Sequence, residues 1–200
     1  MKKILVTYAT NAGSTAGIAE LVKDTIVNKE ITADLKPIGE VGNIAAYNAV
    51  IIGAPMLVGW HRAAKKFLRE QRAELAAKPF ACFLTAMSLT ETRDTAIDGV
   101  PIQIDSGLAK PPRNPKLLSI KEFYALPVNY VRPILRAAPG IKPLGIGLFG
   151  GYLNLLTLSW PARLFVLLII QARPGSLRNE SFIKEWTLNI RMQIIKSWPK

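Results

Sequence analysis

Two hundred residues are enough for one domain with its own core, needing neither disulfides nor a structural metal. One cysteine, Cys82, and one histidine, His61, exclude an internal disulfide framework and a zinc-type ligand set, and they fit a reducing cytosol. The net charge of +12 is lopsided: residues 1–100 hold 12 Lys+Arg against 10 Asp+Glu, and residues 101–200 hold 14 against 4. A basic half attracts anions such as lipid headgroups or a carboxylate-bearing substrate, whereas its dispersed cations form no nucleic-acid motif.

Ile4-Leu5-Val6 is a short apolar run that suits a strand buried on both faces, not a secretory signal. It ends in the polar loop Thr10 to Thr15, after which Ile18, Leu21, Val22 and Ile26 recur at helical spacing. Residues 31–36 alternate as a second strand, and Ala49 to Gly53 is another buried run. Residues 61–76 predict one helix with Ala63, Ala64, Phe67 and Leu68 on one face, and Phe80 to Leu84 predicts the next strand. Strand and helix alternate at short intervals, which predicts a parallel sheet covered on both faces. Residues 92–127, punctuated by Pro101, Pro111, Pro112 and Pro115, break the rhythm and read as an insertion. A helix is expected over Tyr130 to Ala138, kinked or shortened by Pro133. Leu144 to Gly151 reads as the last strand, and Phe182, Trp186, Ile190 and Ile194 give a closing amphipathic helix.

Between that strand and helix, residues 152–170 carry Arg163 as their single charge, and Leu164 to Ile170 is apolar on every face. Such a segment is buried or meets lipid. Asn154, Pro161 and Arg163 argue against an ordinary spanning helix. The preferred expectation is a membrane-dipping segment aided by the basic half; a core helix or a dimer interface is the alternative.

The segment Tyr8-Ala-Thr-Asn-Ala-Gly-Ser-Thr15 carries the most chemistry. It joins a buried strand to a helix, so backbone N–H groups can face an anion at the helix N-terminus. Thr10, Ser14 and Thr15 add hydroxyls, and Gly13 allows close approach. No Gly-Lys-Ser/Thr is present, so the loop suits a terminal phosphate monoester rather than an ATP-type cradle. The plainer alternative is a βα turn capped by Ser14. His61 is either a proton shuttle or a residue at a helix start, and mid-strand Cys82 reads as a small buried hydrophobe.

These residues, followed by Ile18-Ala19-Glu20, resemble the phosphate loop of flavodoxin-like proteins, and Tyr47 to Pro55 resembles that family's third strand and flavin-flanking loop. Within the family, Gly59-Trp60-His61, the Phe67-Leu68 helix, the Thr85-Ala86-Met87-Ser88 loop and the Gly150-Gly151 ending are similar to the menaquinone-dependent protoporphyrinogen oxidase branch.

The resemblance implies one α/β flavodoxin-like three-layer domain over residues 1–200, with a five-stranded parallel sheet in the order 2-1-3-4-5. It implies FMN as cofactor, its phosphate bound by Thr10, Asn11, Ala12, Gly13, Ser14 and Thr15. Pro55, Met56, Leu57, Val58, Gly59 and Trp60 would border the ring, with Trp60 the aromatic neighbour and Thr85, Ala86, Met87 and Ser88 on the other side. The residues themselves leave open whether Met56, Leu57 and Val58 touch the ring or belong to the core. No catalytic acid or base and no metal site stand out. The implied activity is an FMN oxidoreductase passing electrons from a reduced organic substrate, protoporphyrinogen IX, to a quinone. It would sit in the cytoplasm, peripheral on the inner face of the cell membrane. The alternative is a soluble FMN electron-transfer module that docks a protein partner. Self-association is left open.

Overall fold

The computed structural model describes residues 1–11, 13–56, 59–153 and 175–198. Ala12, Leu57, Val58 and most of the apolar stretch, from 154 to 170, therefore lie outside the described residues.

The chain opens with strand β1 (Lys2–Tyr8), helix α1 (Ser14–Ile26), strand β2 (Ile31–Pro37) and strand β3 (Ala49–Pro55). Helices α2 (Arg62–Glu70) and α3 (Arg72–Ala76) lead to β4 (Phe80–Ala86). Then come β5 (Leu89–Thr90), β6 (Ala96–Ile97), β7 (Val100–Ile104), β8 (Ala109–Lys110), and helices α4 (Ile120–Tyr124) and α5 (Pro127–Ala137). The chain closes with β9 (Ile146–Gly150), β10 (Tyr152–Leu153), β11 (Gly175–Ser176) and α6 (Glu180–Ser197).

The sheet runs β2-β1-β3-β4-β9-β7-β6. Its first five strands are parallel and follow the expected order, with Ile4 beside Ala49, Val50 beside Phe80 and Cys82 beside Ile146. Seven strands replace the expected five, because the supposed insertion adds β7, parallel to β9, and β6, antiparallel to β7. The strand was hidden by its proline. Val100 and Ile102 are buried while Pro101 and Gln103 are exposed, the alternation of a half-covered strand. Near the sheet edge, Pro101 is tolerated.

Two apolar layers sandwich the sheet. One packs α1 and α6 against it through Ile18, Val22, Ile183, Trp186 and Ile190. The other packs α2 and α5 through Ala64, Phe67, Leu68, Val131 and Ile134. In the first layer the Phe149 ring sits 5.6 Å from that of Phe83 and 5.2 Å from Trp186. Gly53 lies beside Phe83 in the sheet, and a Cβ there would overlap the Phe83 ring. Glycine therefore lets that ring lie flat on the strand.

The single helix expected over 61–76 is two, divided at Gln71, whose ψ of 12° leaves the helical region. The expected helix at Tyr130 starts earlier, at Pro127, where the missing N–H costs nothing, and it continues past Pro133. Among the described residues no helix is long and apolar enough to cross a membrane.

Candidate functional site

Strands β1, β3, β4 and β9 end at the same side of the sheet. There the strand order reverses between β1 and β3, the position at which open α/β sheets take ligands. After β1, the chain turns through Gly13, whose φ of +80° is left-handed, and a Cβ there would meet nothing within 4 Å. Backbone conformation, not crowding, asks for glycine. Gly13 is the N-cap of α1, so Ser14 does not cap the helix as the plainer reading supposed. The Gly13 N–H donates to Thr10 Oγ1 at 2.9 Å, closing the loop on itself. The first turn of α1 contains no acidic residue, so its N-terminal partial positive charge is not offset locally.

The loops are knitted to one another. Thr15 and Thr85 are both buried, and their hydroxyl oxygens lie 3.2 Å apart, linking the start of α1 to the end of β4. The Met56 N–H donates to the Thr85 carbonyl at 2.9 Å, and Met56 bridges Trp60 across the loop after β3. The Gly151 N–H donates to the Ala86 carbonyl at 2.9 Å, and a Cβ on Gly151 would come within 3.3 Å of Ser14 Oγ. His61 caps α2, its Nδ1 accepting from the Ala63 N–H at 3.2 Å, and its Nε2 lies 3.0 Å from Asn11 Oδ1 in the first loop.

The structure thus brings Thr10, Asn11, Gly13, Ser14 and Thr15 together with Pro55, Met56, Gly59 and Trp60, and with Thr85 and Ala86. Met87 and Ser88 follow half-buried. Thr15 and Thr85 bond each other, so neither hydroxyl is aimed into open space. Met56 and Trp60 belong to the α2-side core with Ala64, Phe67 and Leu68, and Trp60 is only 1% exposed. Its buried Nε1 has no hydrogen-bond partner among the described residues. Burial pulls His61 below the ordinary histidine range. Burial also pushes the Cys82 thiol up, consistent with an unreactive core residue.

The flavodoxin-domain sequence profile matches residues 5–178, most of the chain. This chain belongs to the flavodoxin-domain family. Solved structures agree in fold at low identity. Oxidised flavodoxin 1 from Bacillus cereus is 14% identical, with 99% of this chain and 100% of that one covered and a TM-score of 0.51. A short-chain flavodoxin associated with a bacterial microcompartment is 11% identical, covers 98% and 99%, and has a TM-score of 0.53. An NADH:FMN oxidoreductase in its apo form is 12% identical, covers 100% and 92%, and has a TM-score of 0.54. The sequence matches no curated protein.

Two features of this flavodoxin-domain protein escaped the sequence reading. Gly151, which the sequence marks only as part of the closing glycine pair, lies just past β9 where a side chain would crowd Ser14. Arg178 lies against α1, its Nη1 3.3 Å from where a Cβ on Gly17 would stand, while its Nη2 pairs with Glu180 at 3.4 Å. Nothing local in the sequence marks that long-range contact.

Proposed function

We propose that this protein is an FMN-dependent oxidoreductase whose cofactor lies across the carboxyl ends of β1, β3 and β4. The observation that carries this reading is the left-handed turn at Gly13 opening onto an acid-free helix N-terminus, with the loops after β3 and β4 bonded to it. Those residues fit the group. A phosphate monoester suits the helix-start N–H groups with the Thr10 and Ser14 hydroxyls. Pro55 to Trp60 and Thr85 to Ser88 would flank the ring. FMN supplies the electron transfer when bound, and the chain supplies binding, orientation and exclusion of water.

In the finer reading, electrons come from a reduced organic substrate, protoporphyrinogen IX being the candidate, and pass to a quinone at the membrane. The branch resemblance, the basic second half and the apolar residues 152–170 support it. Purification should give a yellow protein with equimolar FMN and no FAD. Anaerobic bleaching of that flavin by a reduced tetrapyrrole and its recovery on adding a quinone would support the finer reading; bleaching by neither a tetrapyrrole nor a quinol would sink it.

A second reading, a soluble carrier that docks an acidic protein, has its own observation. Arg62, Lys65 and Arg69 lie along α2, just after the site loop, and none is in an ion pair among the described residues. Flavin reduction that depends on an acidic partner and weakens with salt would favour this reading.

A further inference from the structure

We infer that His61 is a positioning residue, a pin that holds the phosphate loop to the ring-side loop only while its Nδ1 carries no proton; this rests on the FMN reading. Two hydrogen bonds define the pin. Nδ1 accepts from the Ala63 N–H at 3.2 Å, so in the neutral ring the proton must sit on Nε2. Nε2 then donates to Asn11 Oδ1 at 3.0 Å, across fifty residues of sequence. The N-cap of α2 thereby selects the tautomer, and the tautomer orients Asn11, within the loop that would hold the phosphate.

A proton arriving at Nδ1 would set donor against donor at Ala63, and the ring would have to turn away from its cap. The bridge to Asn11 would go with it. Burial opposes that proton, and no carboxylate stands near it in sequence to favour it. Arg62 is the next residue and Lys65 lies one turn along α2, while residues 9–15 have no ionisable side chain. A bound phosphate dianion would favour that proton, so the free and loaded chains need separate measurement.

His61 is the only histidine, so its imidazole nitrogens give one unambiguous set of NMR signals. The neutral apo-protein should show the Nε2–H tautomer, with a titration midpoint below the ordinary value of about 6.5. His61→Asn keeps an oxygen that can cap α2 but is too short to serve as the bridge; Asn11→Ala keeps the cap and removes the acceptor. Each should weaken FMN binding at neutral pH by about tenfold, the scale of one lost hydrogen bond, and the double variant should be no weaker than either single one. Acidification to about pH 5 should weaken wild-type binding more than Asn11→Ala binding, since the phosphate's own ionisation acts equally on both. An Nδ1–H tautomer, additive losses, or variants that bind like wild type overturn the pin. A wild type that binds no FMN at any pH overturns the FMN reading and the pin together. A wild type that binds well beside unaffected variants overturns the pin alone.

Discussion

Thr15 and Thr85 show how a hydroxyl that reads as a ligand donor becomes part of the frame of the fold. Their oxygens meet at 3.2 Å in a buried position, so the pair ties α1 to β4. Replacing either threonine with valine strands the partner's hydroxyl and should cost about 1–3 kcal/mol. The double Thr15→Val, Thr85→Val protein should recover part of that loss. Chemical denaturation of the apo-proteins reads both effects, and single variants as stable as wild type would show that the pair bears no weight. Ser14→Ala should lower FMN affinity, as isothermal titration would record. Trp60 behaves as core: Trp60→Ala should cost about 3–5 kcal/mol. Trp60→Phe should cost less than that, because it keeps an aromatic ring in the core.

At the level of elements, Asn179 has two tasks. Its Oδ1 caps α6 by accepting from the Phe182 N–H at 3.2 Å, and its Nδ2 donates to Asp105 Oδ1 at 3.1 Å. Asp105 is buried just beyond β7 and also accepts from the Gly107 N–H. Asn179→Ala should therefore cost more than the roughly 1 kcal/mol of a lost cap, and Asn179→Asp more still, since it sets a second carboxylate beside the first. A thermal melt of Asn179→Asp matching wild type would contradict this placement. Gly53→Ala should destabilise by about 1–3 kcal/mol through the clash with Phe83.

The elements that were legible in the sequence, β1, α1, β3, β4, β9 and α6, each carry an apolar run or a four-residue spacing that burial imposes. The strand at Val100 to Ile104 was not, because it is short, proline-bearing and covered on one face only. The junction from Thr10 to Thr15 was legible as a strand–helix turn because a buried apolar run stops before it and helical spacing resumes after Gly13. The His61–Asn11 and Asp105–Asn179 contacts were not, because they join segments with no shared local pattern.

For the whole molecule, the charge asymmetry has a measurable consequence. If residues 152–170 meet lipid, vesicles with anionic headgroups should bind the protein. Each basic residue near the surface would contribute about 1 kcal/mol, and salt would weaken the attachment without abolishing it, the screening length being about 8 Å at physiological strength. Leu164→Glu with Leu167→Glu should release a folded, yellow protein from flotation with such vesicles. An unfolded variant would instead place the segment in the core, and a wild type that ignores vesicles at low salt would defeat lipid contact. The additional strands matter at this scale too. With β7 on its far side, β9 is no longer the margin of the sheet; it has paired neighbours on both flanks. Its backbone amides should therefore exchange with deuterium on the timescale of global unfolding, as those of the doubly flanked β1 and β3 should, and not through local fraying. Gly151, one residue past that strand with its N–H on the Ala86 carbonyl, would on the FMN reading border the cofactor end from a strand that does not fray.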